Sequence, residues 1–432
     1  MEVSCSCQNK QPNSEAHMKL TLRQQITQFA HVLQTRLFPS LEEEWGELSA
    51  SAKRLVAVLE MIPLARFVPC SRGWIGRPAK DRLAIAKAFV GKVVYGFTTT
   101  RQLLEALRRD DHLRGICGWN RARQLPHEST FSRAFEEFAR MQLPQFVHEA
   151  LIQQTQQDRL IGHIARDSTA IEAREHFPET AAQQAGRAAR KAKLKEQRKA
   201  ARQAAQRAAL VAGRPPAKPG AKPGPHRRYP GGKRPYIPNG DTRLKRQRSM
   251  TLPEMLADLP TQCDIGAKKN SQGNEMYWRG YKLHLDVADG QIPISAVLTS
   301  ASVHDSQVAI PLATMSTRRV TYLYELMDAA YNAYHISEQS RALGHVPIID
   351  PKASVGRKPG AQTIPLSAPP PQLGWAQQQR YRERIMVERV NARLKDEFGG
   401  RSIRVRGAAK VMAHLMFGVL ALTADQILKF IV

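Results

Sequence analysis

Three acidic residues stand where a phosphoryl-transfer enzyme would need them. Asp167 comes just after the apolar run IGHIA, Asp328 closes the run YLYELM, and Glu388 lies in the segment RYRERIMVERVNARLKDEF. Two-metal chemistry needs three or four converging carboxylates, because Mg²⁺ prefers hard oxygen ligands and the ions flank the scissile phosphate. An acid at a strand end is more often only a turn residue, and four other aspartates occupy comparable positions: Asp264, Asp286, Asp305 and Asp350.

The segment around Glu388 has a more informative pattern. If it forms one continuous α-helix, four polar side chains fall within an arc of ~60°. They are Tyr381, Arg384, Glu388 and Lys395. Four apolar residues fall on the opposite side, where they would pack on a sheet: Met386, Val387, Val390 and Leu394. The ordinary interpretation is a solvated face with an i,i+4 ion pair between Arg384 and Glu388, which contributes only ~0.2–0.5 kcal/mol. A catalytic stripe is the alternative.

The spacing of the four polar residues matches a known motif. Tyr381-x2-Arg384-x3-Glu388-x6-Lys395 resembles the Y-R-E-K signature of bacterial insertion-sequence transposases of the DDE type. Other segments resemble strand segments of that family in the same order: D-S-T at 167–169, G-Y-K-L-H-L at 280–285, T-S-A-S-V-H-D-S at 299–306 and D-A-A-Y at 328–331. The stretch LPHESTFSR resembles part of the N-terminal domain of such transposases. The resemblance covers roughly residues 70–432.

The resemblance carries specific expectations for fold, site and partners. It implies an RNase H-like catalytic domain with a catalytic, metal-binding triad made of three acids: Asp167, Asp328 and Glu388. Tyr381, Arg384 and Lys395 would contact transposon-end DNA near the active site. Two Mg²⁺ ions, for which Mn²⁺ could substitute, would be the cofactors. Double-stranded DNA, as element ends and as target, would be bound by a homodimer.

The elements that must carry these residues change character along the chain. Residues 20–150 place apolar side chains at three-to-four spacing, as in TLRQQITQFAHVLQTRLF, which predicts helices. Alternating or continuous apolar runs then predict strands in LIGHIARDSTAIEA, RGYKLHLDVADG, QIPISAVLTSA, RVTYLYELM and HVPIID, with a hairpin at Asp289-Gly290. We therefore predict an α/β fold, an RNase H-like mixed sheet flanked by helices, with an N-terminal all-helical domain and a basic insertion.

The charge distribution adds a partner and domain boundaries. The chain of 432 residues carries a formal net charge of +27, which argues for a polyanionic partner and for nucleic acid first. Between Arg187 and Arg248 there are 20 Lys+Arg and only two acids, so this stretch alone holds +18. We predict a helical N-terminal domain that binds DNA, two parts of the catalytic domain and an Ala/Pro/Gly-rich insertion between them. Their bounds are 1–150 for the first, 155–182 and 261–432 for the catalytic parts, and 183–260 for the insertion.

Several classes of protein are excluded by composition. The five cysteines are scattered and form no zinc spacing or disulfide framework, and no signal peptide begins the chain. The most apolar stretch, Val411–Val432, is interrupted by charged residues and is predicted to be a buried helix, with no membrane contact. We expect a cytoplasmic, nucleoid-associated enzyme. A two-metal nuclease without strand transfer and a decayed DNA-binding relative are the alternatives.

Overall fold

A computed structural model describes five stretches of the chain, together with isolated positions of a helical segment between 189 and 203: 22–68, 80–175, 242–269, 274–350 and 373–429. The chain divides into two compact units. The first unites Met1–Arg174 with Gln247–Val432, and the second is Glu175–Arg246. Most of the predicted basic insertion lies outside the described residues.

Helices build the N-terminal part of the first unit, as the apolar spacing predicts. The described residues begin with α1 Leu22–Val32, a π-helical turn Leu33–Leu37, α2 Phe38–Trp45, α3 Ala50–Met61 and α4 Leu64–Phe67. They continue with α5 Arg82–Val94, α6 Thr100–Arg109, α7 Asp111–Cys117, α8 Glu128–Arg140 and α9 Leu143–Gln156. Helix α6 starts where Thr99 and Gln102 satisfy each other's backbone N–H groups in a capping box. The helical prediction for this region is confirmed in the described residues.

A mixed sheet follows the helices. Its strands are β1 Leu160–Glu172, β2 Asp264–Lys269, β3 Glu275–Ala288, β4 Ile292–Ser300, β5 Thr321–Met327 and β6 Val346–Ile349. The strand order is β2-β3-β1-β5-β6, and β4 also pairs with β3. Strand β1 is central, because it runs antiparallel to β3 on one side and parallel to β5 on the other. The predicted mixed α/β fold is confirmed.

One local feature of the sheet, a hairpin, was predicted from the sequence, and another, strand β2, was not. The predicted hairpin at Asp289-Gly290 joins β3 to β4, and Gly290 takes the positive φ of 83° that such a turn needs. Strand β2 was not predicted, because DIGAKK lacks a β-branched or aromatic run. It pairs with the N-terminal half of β3, where the Trp278 ring lies over Gly266, a position at which any Cβ would clash with that ring.

Seven further helices are described after β1. They are α10 Arg243–Gln247, α11 Leu252–Asp258, α12 Ser306–Thr317, α13 Tyr334–Ala342, α14 Trp375–Tyr381, α15 Ile385–Asp396 and α16 Ala408–Lys429. Helix α12 packs on β3 and β4, whereas α15 packs on β1 and β3. One hydrophobic core joins the N-terminal helices to the sheet and includes Leu55, Phe138 and Leu285.

Helix α16 is the buried C-terminal helix that the sequence predicts. By length and composition it could cross a membrane, with a mean hydropathy of 1.6, but 83% of the apolar window is buried inside the protein. It contacts α8, α9 and β4, and thus links the N-terminal helices to the sheet. A core helix is the interpretation that fits this burial.

Candidate active site

Two of the predicted acids, Asp167 and Asp328, lie next to each other in the middle of the sheet. Arg166 of β1 and Met327 of β5 are register partners in the parallel pair, and each immediately precedes an aspartate. Asp167 therefore lies beside Asp328. Only Asp328 stands at a strand end, because β1 continues past Asp167 to Glu172 and stays paired with β3. The Asp328 carboxylate accepts a hydrogen bond from the backbone N–H of Ala330 at 2.9 Å, which caps a short 3₁₀ turn at Ala329–Tyr331.

The electrostatics of Asp167 reflect both burial and its neighbours. The pKa of this carboxyl is raised to about 6, chiefly by burial and also by the Asp328 carboxylate. The backbone N–H of Ser168 and the side chains of Arg384 and Lys268 act in the opposite direction. The two aspartates thus repel each other in a partly buried place, and added positive charge there would stabilise both.

Arg384 supplies that positive charge in this structure. Its Nη2 donates to Glu388 Oε1 at 2.5 Å, with the Arg384 side chain 20% exposed and Glu388 51% exposed. Burial alone would lower the pKa of Arg384, but Tyr381 and three carboxylates hold it above the ordinary value. Those carboxylates are Asp167, Glu388 and Asp328. The guanidinium of Arg384 lies within electrostatic reach of all three predicted triad members.

The polar stripe of the sequence analysis is partly corrected by the backbone. The segment is not one continuous α-helix: Tyr381 ends α14, Arg382–Arg384 form a 3₁₀ turn, and α15 begins at Ile385. The common arc computed for an unbroken helix therefore does not hold across the turn. The opposite face is confirmed, since four apolar side chains are buried: Met386, Val387, Val390 and Leu394.

Lys395 lies in a basic cluster. Burial lowers the pKa of this ammonium, and repulsion by Arg401 and Lys268 lowers it further. Arg401 is also paired with Asp396 at 2.6 Å. Tyr381 is half-buried, and the Cζ of Arg384 lies 5.8 Å from the centre of its ring. Cations of β2 and α15 thus converge near the acids, where a phosphate backbone would be attracted.

The four competing aspartates have other surroundings. Asp286 is fully buried and bonded to Arg166 at 2.8 Å. Asp305 accepts hydrogen bonds from Ser168 Oγ at 2.9 Å and from Lys282 Nζ at 3.0 Å. Asp264 and Asp350 are exposed. None of these four takes the place of Asp328 beside Asp167.

The site fits a divalent cation in the chemistry of its donors. Carboxylate oxygens are the ligands that Mg²⁺ prefers, and a cation beside Asp167 and Asp328 would offset the repulsion between the two carboxylates. Among the described residues, no three Asp, Glu, His or Cys side chains are close enough to hold a metal ion. In this conformation Glu388 is bound to Arg384 instead.

Comparison with known families places this geometry in context. Residues 257–424 match a family described as the transposase DDE domain, and residues 43–137 match a transposase domain (DUF772). The chain belongs to the DDE-type transposases. No curated protein and no solved structure matches it.

The family assignment fixes several broad properties of the transposase. It acts on DNA, it belongs to the nuclease and transposase class of enzymes, and its family generally uses a divalent metal. Its mixed sheet flanked by helices is RNase H-like. The DDE match includes Asp328 and Glu388, whereas Asp167 precedes the matched region.

The transposase has functional candidates that the sequence analysis missed. Arg166 is fully buried between Asp286 and Glu325, directly beside the predicted acids. Lys268 lies on the unpredicted strand β2, within electrostatic reach of Asp167 and Lys395. A signal for Arg166 and Glu325 did exist, since Arg166 is a charged residue directly after the run IGHIA and Glu325 lies inside the run YLYELM.

Proposed function

We propose that this transposase cleaves the ends of an insertion sequence and joins them to target DNA in a Mg²⁺-dependent reaction. Asp167, Asp328 and Glu388 would be catalytic and would hold two Mg²⁺ ions, for which Mn²⁺ could substitute. The observation that carries the proposal is the placement of Asp167 and Asp328 on adjacent strands, with Arg384 providing positive charge between them and Glu388. Bound Mg²⁺ would stabilise charge on the attacking and leaving oxygens.

The chain's own residues would prepare this site. Glu388 must exchange its partner Arg384 for the cation, and its half-exposed carboxylate has the freedom to do so. Arg384 would then be free to neutralise a DNA phosphate together with Lys395, while Tyr381 packs against the nucleotide near the scissile bond. In the first step a water oxygen bonds to phosphorus and the 3′-oxygen leaves. In the second, that 3′-OH bonds to a target phosphorus and the target's 3′-oxygen leaves.

The DNA partner is supported by charge and by family. The net charge of +27 favours binding to the phosphate backbone, and +18 of it falls between Arg187 and Arg248. We assign DNA binding to the helical domain 1–150 and to the basic insertion 183–260, on a catalytic domain formed by 155–182 and 261–432. A cytoplasmic, nucleoid-associated homodimer that synapses two element ends, without membrane contact, completes the proposal.

A joining assay tests the proposal. The substrate is a duplex of the DNA flanking this reading frame, already cut to expose a 3′-OH, together with plasmid target DNA and Mg²⁺. We expect joined products with wild-type protein and none with Asp167→Asn. Cleavage without joining would support a two-metal nuclease instead. DNA binding with neither reaction in Mg²⁺ or Mn²⁺ would indicate a decayed relative.

A further inference from the structure

A buried arginine lies next to both proposed catalytic aspartates. Arg166 precedes Asp167 on β1, and its register partners are Asp286 on β3 and Met327 on β5. Met327 in turn precedes Asp328. The Arg166 side chain is 1% exposed, which is rare for arginine and requires charged partners.

The guanidinium cross-links three strands of the sheet. Its Nε and Nη2 donate to the two carboxylate oxygens of Asp286 at 2.8 and 2.9 Å, a bidentate pair. The Nη2 group also donates to Glu325 Oε1 at 3.3 Å, and Nη1 lies 3.4 Å from the sulfur of Met327. Its partners therefore belong to β3 and β5, one on each side of β1.

Hydroxyl groups hold the two acidic partners in turn. Ser316 of α12 donates to Asp286 at 2.7 Å. Tyr322 and Ser340 donate to the two oxygens of Glu325 at 2.7 and 2.5 Å. Burial alone would raise the pKa of Glu325, but Arg166 and these hydroxyls hold it below its ordinary value. The network is charged and its carboxylates are multiply bonded.

Stability alone does not account for this network. Buried ion pairs often add little net stability, because desolvation offsets their attraction, and apolar replacements can be equally stable. The network instead fixes the register of the strands. Register matters here because a slip of one residue between strands would turn every side chain to the opposite face of the sheet. The guanidinium fork of Arg166 fits its two carboxylate partners only in the observed register, which pairs Arg166 with Met327. In that register the next residues along the two strands, Asp167 and Asp328, lie side by side.

We propose that Arg166 is a positioning residue that holds β3, β1 and β5 in the register bringing the carboxylates of Asp167 and Asp328 to one point. The inference rests on the proposed function, in which these carboxylates bind Mg²⁺. Arg166 acts through the strands, and its own side chain stays bonded to Asp286 and Glu325.

Metal affinity measured without catalysis tests this role. The full-length protein is titrated with Mn²⁺ by calorimetry in the absence of DNA, as wild type and as Arg166→Lys. A single ammonium cannot reproduce the fork, so one strand loses its link while the charge is kept. We expect the Kd for Mn²⁺ to rise about tenfold or more, the size of effect found for residues that orient metal ligands. Binding to DNA should be unchanged.

A second buried arginine provides a matched control. Arg319 precedes β5, at the end of that strand opposite to Asp328, and it donates to Glu149 at 2.9 Å and to the Ile294 carbonyl at 2.8 Å. Arg319→Lys also disturbs an ion pair of a buried arginine, so it should lower the thermal midpoint. Its Kd for Mn²⁺ should stay within about twofold of wild type, because no metal-binding strand end depends on it.

Each outcome separates the inference from the function on which it rests. If Asp167→Asn binds Mn²⁺ as tightly as wild type, the proposed metal site is wrong. If Asp167→Asn loses binding but Arg166→Lys keeps the wild-type Kd, only the positioning role is wrong. Raising Mn²⁺ in proportion should restore cleavage by Arg166→Lys but not by Asp167→Asn, and failure to restore it would also overturn the role. Should Arg166→Lys not fold, Glu325→Gln replaces it, with a Kd at least about threefold weaker expected and an unchanged Kd contradicting.

Discussion

The proposed triad combines two regions of different rigidity. Asp167 lies within β1 and Asp328 follows the adjacent strand β5 in the middle of the sheet, with the buried ion pairs of Arg166 directly beside them. Glu388 lies on α15, is 51% exposed, and is held by one ion pair with Arg384 just after a 3₁₀ turn. In the proposed site the sheet would fix two ligands in advance, whereas the helix would offer a third that must change partner.

This difference suggests how the site would avoid acting on the wrong DNA. A preformed pair of aspartates would set where a cation binds, and the exchange of Glu388 would complete the site only when Arg384 has a phosphate to bind. If the two regions contribute unequally to catalysis, substitutions in the sheet should lower the cleavage rate more than substitutions on the helix.

Removing a carboxylate from the sheet should have the largest effect. Asp167→Asn or Asp328→Asn should lower the single-turnover rate of DNA cleavage at least ~1000-fold, because metal stabilisation of the transition state is worth several kcal/mol and each 1.36 kcal/mol is tenfold. DNA affinity, measured by fluorescence anisotropy, should be unchanged. A loss below tenfold in either variant would remove that aspartate from the triad.

Changing the acid on the helix should cost less. Glu388→Gln keeps an oxygen ligand while the two aspartates still hold a cation, so we expect a loss of about 100-fold in the same assay. Glu397→Gln is the control: that residue is on the same part of the chain and pairs with Arg393 in an i,i+4 arrangement, as Glu388 does with Arg384. Equal losses for Glu388→Gln and Asp167→Asn would show that the two regions are equally important.

The folded protein should become less stable as the pH falls, because of a buried histidine on α9, His148. Burial lowers the pKa of His148 to about 3, and its Nε2 lies 3.1 Å from the Pro293 carbonyl of β4. In the unfolded state His148 is therefore protonated below about pH 6.5, whereas in the folded state it stays neutral until the pH approaches 3. Stability is full above about pH 6.5 and is lost as the pH falls toward 3.

Chemical denaturation at two pH values measures this effect. From pH 7 to pH 5, His148 should lower the free energy of unfolding by about 2 kcal/mol. His148→Gln has no such titration, so its loss over this range should be smaller by that amount. The same pH dependence in both proteins would show that His148 is not responsible.

The smallest effect should come from the basic partner of Glu388. Arg384→Gln frees the Glu388 carboxylate, so Mn²⁺ should bind up to about tenfold more tightly without DNA, in keeping with one lost competing ion pair. The slope of log affinity for DNA against log salt should fall by about 1, since one phosphate contact is lost. Arg382→Gln is the control on the same turn, bonded to Gln379 and not to an acid of the triad. Weaker Mn²⁺ binding in Arg384→Gln would show that the arginine supports the site in some other way.

The sequence indicates the elements better than it indicates their contacts. Period-2 and apolar runs predict β1, β3, β4, β5 and β6, because burial of one or both faces leaves a local pattern. Strand β2 escapes this test, since its side chains are mostly exposed and it forms by pairing with β3. The 3₁₀ turn at Arg382–Arg384 also escapes it, because helical periodicity does not distinguish a tightened turn from a continuous helix.

For the candidate site too, the sequence indicates the residues better than it indicates their contacts. Asp167 and Asp328 are identifiable because each follows an apolar run, although Asp167 lies inside β1 and only Asp328 stands at a strand end. The parallel register of β1 and β5 brings them together. The family resemblance selects Glu388 where the helical pattern alone left an ordinary ion pair as the simpler interpretation. The ion pair with Arg384 is present in the structure, so that simpler interpretation is confirmed, and the catalytic role of Glu388 stays a prediction. The role of Arg166 depends on two partners 120 and 159 residues away, which no local pattern contains.

Cleavage of the polypeptide by bound iron tests the central claim most directly. Fe²⁺ replaces Mg²⁺ in the full-length protein with end DNA present, and ascorbate and peroxide then generate radicals that cut the backbone near the ion. We predict fragments that end close to Asp167, Asp328 and Glu388, competed away by excess Mg²⁺ and absent in Asp167→Asn. Cuts that cluster elsewhere, or that persist in Asp167→Asn, would contradict a metal site formed by these three carboxylates.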